Sequence, residues 1–80
     1  QLLFDATIEI KGIDRKGMLL DVSKVISDQL GINIHKLTIS SDKGIFDGTI
    51  ELRIHDRDEV GVIMDQLKKI EDLQDVQRIL

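Results

Sequence analysis

The stretch GIDRKGMLL (residues 12–20) sets two glycines five positions apart around Asp14, Arg15 and Lys16, then runs straight into apolar residues at helical spacing. Such a loop is suited to holding an anion. The first N–H groups of a helix have no intrahelical partner, and the helix dipole makes that end mildly positive. Glycine lets a ligand come close to the backbone, so a carboxylate or phosphate can rest on the amides of Gly17, Met18 and Leu19. The competing assignment has Asp14 capping the helix with its own carboxylate, leaving Arg15 and Lys16 solvated.

Other chemistries find little footing. The loop lacks the Lys-Ser/Thr pair of a phosphate-binding P-loop and is not GxGxxG. His35 and His55 stand twenty positions apart with no third ligand at turn or helical spacing, so they read as surface residues rather than metal ligands. No Ser-His-Asp, Cys-His or paired-carboxylate order stands out, and neither a metal nor a cofactor is expected. The absence of cysteine removes disulfides, zinc-thiolate sites and CxxC redox chemistry. A net charge of −4 gives no electrostatic footprint for wrapping nucleic acid, and Phe4 and Phe46 are the only aromatics, too few for a stacking RNA site. Contact with RNA through shape or backbone charge stays open. No apolar run approaches the ~18–20 residues of a membrane span, and no signal-peptide pattern opens the chain. A reducing, cytoplasmic setting is the default. Gln1 in place of an initiator Met points to a single domain, residues 1–80, cut from a longer protein.

The elements that must position the loop are legible from periodicity. Residues 4–11 alternate apolar and polar, the pattern of a half-buried strand, and Gly12 is expected to end it. Met18, Leu19, Val22, Val25, Ile26 and Leu30 form one helical stripe, with Gly31 just past its end. Leu20 falls off that stripe. A second strand over 32–41 changes phase at His35-Lys36, which a β-bulge reconciles, and bulges favour edge strands. Residues 41–44 (SDKG) make a hairpin turn with Gly44 in the left-handed position. Phe46, Gly48, Ile50, Leu52 and Ile54 alternate along a third strand. Asp56 and Glu59 have capping-box spacing, with Asp58 as a rival cap, ahead of a second helix with the stripe Val60, Ile63, Met64, Leu67 and Ile70. Val76 to Leu80 supplies a fourth strand.

The order β-α-β-β-α-β with right-handed crossovers predicts a ferredoxin-like α+β sandwich: a four-stranded antiparallel sheet, both helices on one face, the first and third strands central. The opposite face then carries Asp5, Thr7, Glu9, Glu51 and Arg53. Acylphosphatases share this architecture, with a loop arginine and a strand asparagine that Arg15 and Asn33 would have to supply, but the glycine and aromatic run that precedes their arginine is missing. As an edge, the second strand leaves backbone donors and acceptors open. Pairing it with a second copy would join two sheets and bring the 12–20 loop of one subunit near Asn33 and His35 of the other; Leu20, His35, Leu37 and Ile39 are the candidate interface residues. Solvent, or flanking parts of a longer chain, would cover the edge otherwise.

Asp14, Arg15, Gly17, Leu19, Leu20 and Val22, leading to Gly31-Ile32-Asn33-Ile34, together with DGTIELRIHDRDEV and the closing LQDVQRIL, resemble the ACT domain, a small-molecule regulatory module. Over roughly residues 6–80 the pattern is most similar to the C-terminal ACT domain of RelA/SpoT (p)ppGpp synthetase/hydrolases, the GTP pyrophosphokinases of the stringent response. The resemblance implies a non-catalytic domain that pairs and holds an amino-acid effector between the first strand–helix loop and the second strand, and relays it to catalytic domains N-terminal to it. Mapped here, Asp14, Arg15, Gly17, Met18 and Leu19 serve on the loop side and Asn33 on the strand side. Lys16 stands where many relatives carry proline. The alternative implied by the same resemblance is a module that contacts the ribosome, RNA or other domains without a small ligand.

Overall fold

The computed structural model describes residues 2–80. Its elements run β1 (Phe4–Ile13), α1 (Met18–Ser23) continuing as wider π-helical turns over Lys24–Gln29, β2 (Ile34–Asp42), β3 (Ile45–Ile54), α2 (Glu59–Leu67) and β4 (Leu73–Arg78). The strands form one antiparallel sheet in the order β2-β3-β1-β4. This is the expected ferredoxin-like arrangement, with the two most regularly alternating strands at the centre.

Burial explains that placement. β1 and β3 pair without a break from Phe4–Ile54 to Ile13–Ile45, so their even-numbered side chains share one face. On it Ala6, Ile8, Ile10, Phe46, Ile50, Leu52 and Ile54 are buried against Met18, Val22, Val25 and Ile26 from the first helical run and Val60, Ile63 and Leu67 from α2. Each of the larger side chains contributes about 1.5–3 kcal/mol by leaving water. The other face is polar, with Asp5 and Arg53 3.7 Å apart and Lys11 and Asp47 3.9 Å apart across the central strands.

Two bulges set the fine structure. Ile34 pairs with Leu52 and Lys36 with Glu51, so His35 is the extra residue expected from the phase change, and β2 is an edge strand. In the β1–β4 ladder, Lys11 faces Asp75 and Gly12 faces Leu73, leaving Gln74 unpaired. Three expected boundaries shift, two of them at that second bulge. Gly12 does not end β1: the strand continues to Ile13, and the glycine lets β4 close in, since a Cβ there would lie 2.4 Å from the Asp72 carbonyl oxygen. The last strand starts at Leu73 rather than Val76; the bulge turns both of these inward although they lie three apart, while Ile79 and Leu80 are exposed. They extend the ladder by backbone bonds only, Ile79 N–H donating to the Thr7 carbonyl (2.8 Å). β2, for its part, begins at Ile34, although Ile32 is buried.

Candidate functional site

At the junction of β1 and α1 a cleft of about 530 Å³ opens beside the β2 edge. Asp14 and Gly17 form its loop wall, Met18, Leu19, Leu20 and Ser23 its helix wall, and Ile39 and Phe46 its sheet side. The loop is anchored at both ends. Ile13 N–H donates to the Asp72 carbonyl and Asp14 N–H to the Gly44 carbonyl, each at 2.9 Å. The latter bond reaches the β2–β3 hairpin, where Lys43 (φ 51°) and Gly44 (φ 80°) make the tight turn that places this carbonyl.

Gly17 is the residue before the first helical turn and sits at φ 85°, a conformation that strains any residue with a Cβ. No side chain caps α1. Asp14 is exposed and makes no capping bond, which overturns the assignment in which it satisfies the helix start. Met18 N–H donates to the Arg15 carbonyl (3.3 Å), whereas the Gly17, Leu19 and Leu20 amides donate to no acceptor among the described residues. The loop side of the expected site is thus assembled, with Asp14, Arg15, Gly17, Met18 and Leu19 all bordering one cleft. Leu19 is half-exposed at its wall rather than buried in the helical stripe, because the stripe passes from Met18 directly to Val22.

Arg15 is neither solvated nor free. Its Nη2 donates to Asp21 Oδ2 (2.9 Å) and the Glu71 carbonyl (2.8 Å), Nη1 donates to the Lys16 carbonyl (3.2 Å), and Nε stands 3.2 Å from Asp72 Oδ2 without the alignment of a hydrogen bond. The guanidinium is spent on these contacts, and Lys16 alone of the two cations is solvated. Asp21, Glu71 and Asp72 carried no sequence signal for this role: two of them lie more than fifty residues from Arg15.

Asn33 does not reach the cleft within one chain. It borders a separate hollow of about 300 Å³ with Leu30, Arg53, His55 and Glu59. β2 runs from there to the hairpin, so its two ends are roughly 25 Å apart at ~3.3 Å per residue. Of the candidate interface residues, Leu20 is exposed and Ile39 half-buried at the cleft, and Leu37 packs partly against the core. His35, turned out by the bulge, borders a shallow hollow with Asp5, Thr7, Glu51 and Arg53 instead. Among the described residues no group of three or more His, Cys, Asp or Glu is placed to hold a metal ion, and no helix is long and apolar enough to cross a membrane.

The fold and its cleft define a small βαββαβ sandwich with an uncapped first strand–helix junction. The chain belongs to the ACT domain family, whose sequence model matches residues 1–78. It is similar to the ACT domain of the GTP pyrophosphokinase of Chlorobium tepidum, at 29% identity over 98% of this chain and 100% of that one, with a TM-score of 0.86 for the crystal structure. For the solution structure of the same domain the identity is 30%, over 96% and 86% of the two chains, with a TM-score of 0.83. The fold also matches the small subunit of acetolactate synthase from Thermotoga maritima (19% identity, 96% of this chain, 48% of that one, TM-score 0.82). No curated protein sequence matches it significantly. The domain is thus a non-catalytic regulatory module.

Proposed function

We propose that this ACT domain is the sensory end of a (p)ppGpp synthetase/hydrolase, a GTP pyrophosphokinase, working in the cytoplasm on catalytic domains N-terminal to it. The sequence pattern over residues 6–80 and the likeness to the Chlorobium tepidum domain support this parentage. The observation that carries the sensing role is the uncapped Gly17 junction facing a cleft of about 530 Å³. An amino-acid effector would set its carboxylate against the open Gly17 and Leu19 amides and its side chain on Met18, Ile39 and Phe46. Asn33 would come from a second copy, paired through the open edge of β2 with Leu20, His35, Leu37 and Ile39 along the contact. A ligand that binds one arrangement of the pair better than another shifts its population by no more than that difference in affinity.

Calorimetric and NMR titration with the twenty amino acids tests this. At least one should give a saturable response at Gly17 and Asn33, and none doing so would remove the sensing role. Sedimentation across concentrations should show self-association that Ile39→Lys weakens; a monomer unaffected by it would remove the paired edge.

A second reading is a docking module with no small ligand, in which a protein or ribosomal partner covers the apolar rim of the cleft, where Leu19 is 50% and Leu20 59% exposed. If the partner is the ribosome or RNA, pelleting should weaken steeply with added salt; if it is another domain of the parent chain, salt should matter little and Leu20→Glu should abolish the contact.

A further inference from the structure

The contacts of Arg15 add a side-chain link between two parts of the molecule that the sheet joins only by backbone, through the Gly12–Leu73 pairing and the Ile13–Asp72 bond. On one side is the cleft's loop, Asp14 to Gly17. On the other is the corner between α2 and β4, where Glu71 and Asp72 turn the chain. Asp72 lies at φ 70°, a left-handed conformation that costs a non-glycine residue energy and that Asp, with its short polar side chain, tolerates better than most. Two contacts hold it there, a hydrogen bond from the end of β1 and an ion pair from the loop: its carbonyl accepts Ile13 N–H at 2.9 Å, and its carboxylate lies 3.2 Å from Arg15 Nε. The neighbouring Glu71 carbonyl accepts Arg15 Nη2 at 2.8 Å. Gly12 completes the joint, because only a residue without a Cβ lets the Asp72 carbonyl approach so closely. The corner also starts the strand whose bulge at Gln74 sets the phase of Leu73 and Val76.

We infer that Arg15 is a positioning residue, a latch that braces the cleft's loop on the α2–β4 corner, so that a displacement at Gly17 is transmitted to the first residues of β4. Arg suits the part because its planar fork reaches several acceptors at once, and its side chain is only 24% exposed, which limits screening of the pair with Asp72. By reciprocity, whatever stabilises the corner also stabilises the loop. The inference concerns the chain without a ligand and stands whether or not an amino acid binds; a silent titration would overturn the sensing role and leave the latch untouched.

The test uses the 80-residue chain in ligand-free NMR. Asp72→Asn removes the charge while keeping a side chain that tolerates positive φ, so the fold is retained. Amide exchange at Ile13, Asp14 and Met18, the bonded amides of this segment, should then quicken by about two- to fivefold, the range expected when one partly screened ion pair is lost from a local opening equilibrium. Gly17→Ala supplies a displacement at the cleft. In the parent chain it should shift the Leu73 and Val76 amides, and in the Asp72→Asn background those shifts should fall by half or more. Arg15→Lys, which keeps the charge without the fork, should give an intermediate result. Unchanged exchange at Asp14 and Met18 in Asp72→Asn, or equal transmission to Leu73 in both backgrounds, would overturn the latch. So would reproduction of the whole effect by Asp21→Asn.

Discussion

The two halves of this domain share a plan, strand to helix to strand, yet the turns that lead into their helices are finished differently. At the second junction, Glu59 Oε1 accepts the N–H groups of His55 (3.2 Å) and Asp56 (3.0 Å), and Asp56 Oδ1 accepts that of Asp58 (2.9 Å). The turn that leads into α2 closes on itself, although no side chain caps the helix at Asp58. At the first, a left-handed glycine leads into α1 without any side-chain cap, and a cleft stands in front of it. Satisfied amides have nothing to offer a partner, whereas open ones keep their hydrogen-bonding capacity for something outside the chain. The first junction therefore keeps open amides beside a cleft, while side chains hold together the turn of the second.

Substitutions can break or sharpen this contrast. The largest effect is expected from Gly12→Ala, since the new methyl would meet the Asp72 carbonyl oxygen at 2.4 Å and Phe46 Cε1 at 3.1 Å. Urea denaturation should show a loss of about 2–4 kcal/mol, because backbone stands on the far side and cannot retreat. Its counterpart in the second half, Gly61→Ala, meets nothing within 4 Å on the exposed face of α2 and should gain up to about 1 kcal/mol. Next comes Gly48→Ala on β3, where the methyl would press on Ile39 Cδ1 at 2.8 Å and Ile10 Cγ1 at 2.9 Å. About 1–3 kcal/mol should be lost, and displacement of Ile39 should narrow the cleft, readable as shifts at Gly17.

Capping supplies the finer test. Glu59→Ala should lower stability by about 1 kcal/mol, since two amides lose their acceptor. Asp14→Ala, at the matching place in the first half, should stay within about 0.5 kcal/mol in the same thermal melt, because no amide depends on that carboxylate. Equal losses at the two positions would erase the contrast. Smallest of all should be Asp5→Asn, which removes an exposed pair with Arg53 at 3.7 Å on the polar sheet face and should move the melting temperature by a degree or so at most.

What could be read ahead of the structure followed the strength of the local signal. The unbroken alternation in residues 4–11 and 46–54 placed two central strands, and the phase change at His35 placed a bulge and an edge. The capping box at Asp56 and Glu59 was legible because its partners lie three residues apart. Leu73 was missed as the start of β4, because the bulge at Gln74 hides the alternation behind a three-residue spacing. Gly17, Met18 and Leu19 were singled out by glycine spacing and helix-start chemistry, and Asp14 and Arg15 by the family resemblance; all five border the cleft. The role of Arg15 was not legible, since Glu71 and Asp72 are distant in sequence and nothing local distinguishes a latched arginine from a solvated one.

Periodicity and turn chemistry, both properties of short segments, are enough to specify the element order, the buried face of each element and, through the crossover rule, the sheet order. Which way a polar side chain spends its hydrogen bonds is a different matter, decided by whichever acceptors the assembled fold brings within about 3 Å. Thus Asp14 left the helix start open, Arg15 turned to the α2–β4 corner, and Asn33 came to rest at the far end of β2 from the cleft, all by the meeting of distant segments.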